Sequence, residues 1–371
     1  MAVIAAAAST IMLVPASAQV DIPSFTVLTC EKDCPPVTKA VVRTPGHVNY
    51  PLIRDPETGG FIEAMVDVDF TIGTDGLAKD VVVEDLLGPK KFADAAVDGT
   101  SRFVFDPATE GGKPVEENRR LRFLFRIPGG PPGARTRVRE AYVAAEGLVT
   151  KGKPSEAIAA FQAIEDRTDL NLYERCMVAF ALADAQFRAK DFWSARHAIR
   201  IATINNGELL GKESVTNAIR LRIRLEALNG DFAEAFAWFE ILGKKAEIAA
   251  DDPDKKLVDR MHALIDGPDS LSAKGRIPDE GLPVFWQHTL LKRSFEFHEV
   301  AGSLEKFELH CARHSILSPV SDKANWTVPA RWSGCYVNVY GKPGTTFSLF
   351  EYPPGFPGAA PVHPPSDDIN H

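Results

Sequence analysis

Four residues near the end of this 371-residue chain, His310, Cys311, His314 and Cys335, are of the types that hold zinc, which takes imidazole nitrogen and thiolate sulfur. Of the nine histidines, only His310 and His314 lie close together. A second cluster is basic: Arg119, Arg120, Arg122 and Arg126 crowd one short segment. Carboxylate pairs occur at Glu84-Asp85 and Asp251-Asp252, at the ends of expected elements, where a solvated or capping role is the ordinary one. No glycine-rich phosphate loop, dinucleotide fingerprint, Gly-x-Ser-x-Gly elbow or His-Glu-x-x-His occurs. The expectation is therefore a protein that is not an enzyme and carries no cofactor.

What the cysteines do depends on the compartment. The first 20 residues carry no charge and run from an Ala/Ile/Val/Leu centre through Pro15 to Ala16-Ser17-Ala18, the small-x-small pattern of a signal-peptidase site. Residues 1–18 read as an export signal cut after Ala18, although no basic region precedes the apolar core. The competing reading is a retained membrane anchor, shortened by Pro15, Ser17 and Gln19. Either places the bulk of the chain outside the cytoplasm, in the periplasm of a Gram-negative bacterium. Cysteines pair in such a space, so Cys30–Cys34 and Cys311–Cys335 are expected disulfides, and Cys176 is left over as a buried small hydrophobe. Zinc would need Cys311 and Cys335 to stay reduced in an oxidising space, so no metal is expected. Trp326 and Trp332, on either side of Pro329, read as core or interface aromatics before ligand platforms.

Composition narrows the field further. A net charge of −8, from 42 basic and 50 acidic residues, gives no field that would draw the chain onto nucleic acid. Beyond the N-terminus no run of about 18 apolar residues exists, which excludes a polytopic membrane protein.

The elements that must position these residues fall into blocks. Residues 19–44 form an extension carrying Cys30 and Cys34. In the next block Val66, Val68, Phe70 and Ile72 alternate with Asp67, Asp69 and Thr71, which predicts a strand with one face in a core and one in water. Gly73-Thr74-Asp75-Gly76 turns the chain into a second strand, Leu77 to Leu87. Pro89 then opens a helix with Phe92, Ala95 and Ala96 on one face. A last strand places Leu121, Phe123, Phe125 and Ile127 opposite Arg120, Arg122, Leu124 and Arg126. The Pro/Gly run at 129–134 is a linker, and a second one spans Asp266 to Pro283.

The order of motifs in residues 45–128 resembles the TonB C-terminal domain family. Tyr50-Pro51, the strand Val66 to Ile72, the Asp75-Gly76 turn, Phe92-Ala-Asp-Ala-Ala, Phe103-Val-Phe105-Asp-Pro107-Ala108 and Gly112-Lys113-Pro114-Val115 carry the resemblance. It implies an antiparallel sheet with one packed helix, whose edge takes up an extended peptide by strand addition. Arg119, Arg120, Arg122, Leu124 and Arg126 are then the expected partner-binding residues. Arginines there also suit a polar solvent face that guards an edge against aggregation. Phe103 stands where the family usually has Trp, and the family's long Pro-rich spacer is missing, which sets docking ahead of energy transduction.

From residue 135 to 265 the period turns helical. Gly152-Lys153-Pro154, Lys190-Asp191-Phe192 and Gly230-Asp231-Phe232 each precede an anchor alanine, Ala157, Ala195 or Ala235, with Phe161, Ile199 or Phe239 four residues on. This pattern predicts stacked helical hairpins of the tetratricopeptide kind. Residues 282–352 form a small β module, in which Cys335–Tyr340, the Gly341-Lys342-Pro343-Gly344 turn and Thr345–Tyr352 make a hairpin. The tail, 353–371, is too poor in apolar residues to pack.

The fold class expected is thus multidomain α+β. The function expected is a periplasmic, non-enzymatic TonB-family protein that docks proteins or extended peptides through a sheet edge and helical repeats. An energy transducer, anchored by its N-terminus and coupling an inner-membrane proton-motive complex to outer-membrane receptors, is the alternative. Membrane contact is expected only if the N-terminal segment is retained.

Overall fold

The structure, a computed structural model, describes residues 17–21, 28–30, 34–56, 59–127, 133–279, 283–320, 325–353 and 360–361. The expected signal at 1–18, apart from Ser17 and Ala18, and the linker core at 128–132 lie outside the described residues. In chain order the first region holds β1 (Ser17–Asp21), β2 (Val37–Thr38), β3 (Val41–Thr44), β4 (Ala64–Ile72), β5 (Ala78–Leu87), α1 (Lys90–Thr100), β6 (Val104–Asp106), β7 (Ala108–Glu110), β8 (Lys113–Val115) and β9 (Glu117–Phe125).

The hairpin of β4 and β5 runs from Met65↔Leu87 to Ile72↔Ala78, with register shifts at Asp67/Val68 and Asp69/Thr71. Its turn needs Gly76 at φ +79°, where a Cβ would lie 2.1 Å from the Phe105 carbonyl oxygen. With β9 and β1 these strands form an antiparallel sheet in the order β1-β9-β4-β5. One face buries Val66, Val68, Phe70, Phe123 and Phe125 against Phe92, Ala93 and Ala96 of α1. Each large apolar side chain so buried stabilises by about 1.5–3 kcal/mol. The other face is not in water. Asp67 is 4% exposed and Thr71 9%, because helices and the C-terminal strands cover it. Two short ladders, β2-β7-β8 and β3-β6, finish the region.

The helical region consists of α2 (Thr136–Thr150), α3 (Pro154–Glu165), α4 (Leu172–Arg188), α5 (Phe192–Ala202), α6 (Lys212–Asn229), α7 (Phe232–Lys245) and α8 (Pro253–Asp266). The hairpins α2/α3, α4/α5 and α6/α7 stack in sequence. Gly152, Lys190 and Gly230 hold equivalent left-handed positions in their turns, at φ +70°, +64° and +82°. The anchors Ala157, Ala195 and Ala235 are fully buried, and small residues there let the helices approach closely. Asn171 and Glu174 cap α4 reciprocally, and Asp252 caps α8 as the carboxylate pattern suggested. Among the described residues no helix is long and apolar enough to cross a membrane.

The C-terminal strands are β10 (Leu271–Arg276), β11 (Trp286–Thr289), β12 (Ser294–Ala301), β13 (Leu304–His310), β14 (Ser315–Pro319), β15 (Trp326–Thr327), β16 (Tyr336–Gly341), β17 (Thr346–Tyr352) and β18 (Ala360–Pro361). They form two sheets, β10-β17-β12-β15-β18 and β11-β16-β13-β14, that sandwich Phe295, Phe297, Phe307, Val337, Phe347 and Leu349. Two expectations are corrected here. β16 and β17 are consecutive but pair with different partners in different sheets, so the Gly341–Gly344 turn is a corner of the sandwich and not a hairpin. The stretch read as a second linker contains β10, whose Leu271 and Ala273 are buried. Of the tail, Pro353 and Ala360–Pro361 are described, the latter pairing parallel with β15, and the rest lies outside the described residues.

Candidate functional site

Both expected bridges, Cys30–Cys34 and Cys311–Cys335, are formed, and Cys176 is free and buried. The bridge removes Cys311 and Cys335 as zinc ligands. His310 bonds to Ser315 and Glu308 instead, and His314 stacks on Trp332 at 4.6 Å. Trp326 and Trp332 are buried in the sandwich core.

The strand expected to meet a partner is β9. Its inner edge pairs with β4 from Ala64↔Phe125 to Ile72↔Glu117. Its outer edge is covered by this chain: β1 pairs at Ser17↔Leu124, Ala18↔Phe123 and Asp21↔Leu121, and the Asn118 N–H donates to the Ala312 carbonyl at 3.3 Å. Four of the five side chains expected to touch a partner are committed elsewhere. Arg119 donates to the Ala40 carbonyl and to Glu117. Arg120 grips Asp69 in a two-pronged pair at 2.5 and 2.8 Å and reaches Gln287 at 2.7 Å. Arg122 grips Asp67 in the same way, at 2.7 and 2.6 Å. Leu124 joins Met65 in the core of the helical hairpins. Arg126 alone of the five is exposed.

The structure instead gathers Arg120 and Arg122 into a cleft of about 570 Å³ where the three regions meet. Its floor is the charged face of β4, β5 and β9, one wall is α5 with Arg222 and α7, and the other is β11 with the segment before it. Glu84 and Asp85 sit within β5, at a bulge between Asp67↔Asp85 and Val68↔Val83, and not at an element end as the sequence suggested. Burial pushes Glu84 up to about 8 even though Arg120 lies 3.1 Å away, since Arg120 is already given to Asp69. Burial likewise raises Asp85, with Asp67 adding to it against Arg200, Arg122 and His197. Against the cost of burial, Arg222 and Arg200 hold Glu234 down to about 2, and burial pulls Arg222 to about 10. Arg222 also lies over the Trp238 ring at 4.1 Å.

Among the cleft residues that sequence reasoning missed are Trp193, His197 and Arg200 of α5, while Asp85 was seen only as a solvated or capping carboxylate. The signal of these three is their i, i+4, i+7 spacing, which places them on one helix face. Nothing local says that a charged sheet stands opposite.

Neither a protein-family model nor a curated protein matches the chain. Solved structures do match. One of them is the first TPR of Spaghetti (RPAP3) bound to the HSP90 peptide SRMEEVD, with 17% identity over 37% of this chain and 100% of that one, at a TM-score of 0.30. The helical hairpins described here stand on their own geometry.

Proposed function

We propose that this chain is an exported, non-enzymatic docking protein, in which a TonB C-terminal-like sheet and stacked helical hairpins hold a protein or an extended peptide. The observation that carries the reading is the outer edge of β9, which takes an antiparallel strand from residues 17–21 of the same chain. Main-chain hydrogen bonds supply affinity in such an addition, so the edge tolerates varied side chains. Cutting after Ala18 would remove two of the three residues paired with β9 and leave the edge for a partner. Two disulfides suit the oxidising space in which such a protein would work.

The test uses the chain from Gln19 onward and a synthetic peptide of residues 13–24 added in trans. Amide exchange at Leu121–Leu124 is expected to be faster in the shortened chain than in the full one, and to slow again when the peptide is added. Equal exchange in all three samples removes the edge as a docking site.

A further inference from the structure

Charge matching in the cleft leaves two groups incompletely satisfied. Arg120 is spent on Asp69 and Glu84, Arg122 on Asp67, Arg196 on Glu226 and Asp231, and Arg222 on Glu234. Arg276 pairs with Asp279. Arg200 is different: its side chain is 42% exposed, and its one ion pair among the described residues is with Glu226, 3.6 Å from Nε. Its terminal nitrogens donate no hydrogen bond to a described residue. Across the gap, Asp85 accepts only the Leu86 N–H at 2.8 Å and has no ion pair among the described residues. Trp193, 45% exposed, stands on the same α5 face as His197 and Arg200.

A cation on α5 and a carboxylate on β5 therefore line one cleft without an ion pair between them. A ligand of one sign would gain from one wall and be repelled by the other. A ligand with both signs would match both, and its apolar part would have an indole to cover it. The volume falls in the range of small-molecule sites, about 300–1,000 Å³.

We propose that the cleft binds a small zwitterion, either a free α-amino acid or a short peptide with both ends uncapped, its carboxylate on Arg200, its ammonium on Asp85 and its apolar side chain against Trp193. This site is separate from the β9 edge and stands or falls independently of edge docking.

The experiment is calorimetry on the full chain, with tryptophan fluorescence in parallel. The probes are L-leucine, trialanine, N-acetyl-trialanine and trialanine amide. Leucine or trialanine is expected to bind, and the one that binds identifies the source. Each cap is expected to weaken binding of the peptide about tenfold, equivalent to about 1.4 kcal/mol. If leucine is the ligand, N-acetyl-leucine and leucine amide take the place of the capped peptides. In Arg200→Gln the C-terminal amide should cost nothing further, and in Asp85→Asn the N-acetyl group should cost nothing further, because each variant has already lost that contact. Caps that leave wild-type affinity unchanged overturn the proposal, as does a full tenfold cost of the cap in its matching variant. So does the absence of binding by both uncapped probes at concentrations up to about 10 mM. The wild-type comparison of capped and uncapped probes needs no variant, so it stands even if one of them unfolds.

Discussion

The two faces of the β4–β9 sheet are built from the same alternating strands and are held by different physics. On one face, Phe92 of α1 meets Phe125 at a centroid distance of 5.0 Å in a packed aromatic core. On the other, Arg122 and Asp67 pair where the Asp67 side chain is 5% exposed and the Arg122 side chain 14%. The apolar face needs only fit, and any close-packed set of side chains supplies it. At Asp67 and Arg122 the charged face needs each ion to find its partner, since little water reaches either side chain. Removing one side chain should therefore leave a cavity on the first face and an orphan charge on the second.

Phe123→Ala should be the most damaging change, at about 3–5 kcal/mol by chemical denaturation, because Phe123 is fully buried in the apolar face. Asp67→Ala should cost about 2–3 kcal/mol, somewhat under the figure for a fully enclosed pair because Arg122 keeps some exposure. Replacing both partners, Asp67→Leu with Arg122→Met, should recover most of that loss. If the double variant is no better than Asp67→Ala, the charged face is specified by more than this pair. The third test is pH. The Glu84 carboxyl is raised from 4.5 to about 8 in the fold, so the folded state holds the proton more tightly than the unfolded one. Its contribution is fully present below pH 4.5 and is lost as pH rises through about 8. Melting temperature should fall from pH 5 to pH 9 in the wild type and fall less in Glu84→Gln. Arg126→Ala should matter least, within about 0.5 kcal/mol, since Arg126 is exposed.

What was legible follows from how far each signal reaches. Val66, Val68, Phe70 and Ile72 declared a core face through local alternation, and Gly152, Lys190 and Gly230 declared helical turns through a local motif. The alternation of Asp67 and Asp69 reads the same whether water or guanidinium covers them, and Gln287, which receives Arg120, lies 167 residues away. For the same reason the Glu84-Asp85 pair looked like an element end. The Gly341–Gly344 turn shows a related limit: a tight turn after a strand reverses the chain, but it does not say whether the next strand joins the same sheet. The order of strand, strand, helix and strand was readable, whereas the short β2-β7-β8 and β3-β6 ladders, two to four residues per strand, carried too little pattern.

Leu28 belongs to the sandwich core, where Gly334 donates its N–H to the Leu28 carbonyl at 2.8 Å. Arg293 holds the neighbouring Thr29 carbonyl across 264 residues of sequence. A chain emerging from its N-terminus can finish the β4–β9 hydrophobic face and the helical hairpins early, but this clasp must wait for the last strands. Closure of so long a loop is entropically slow. The sandwich should therefore be the last cooperative unit to form during refolding, with the segment around Leu28 solvent-exposed until then.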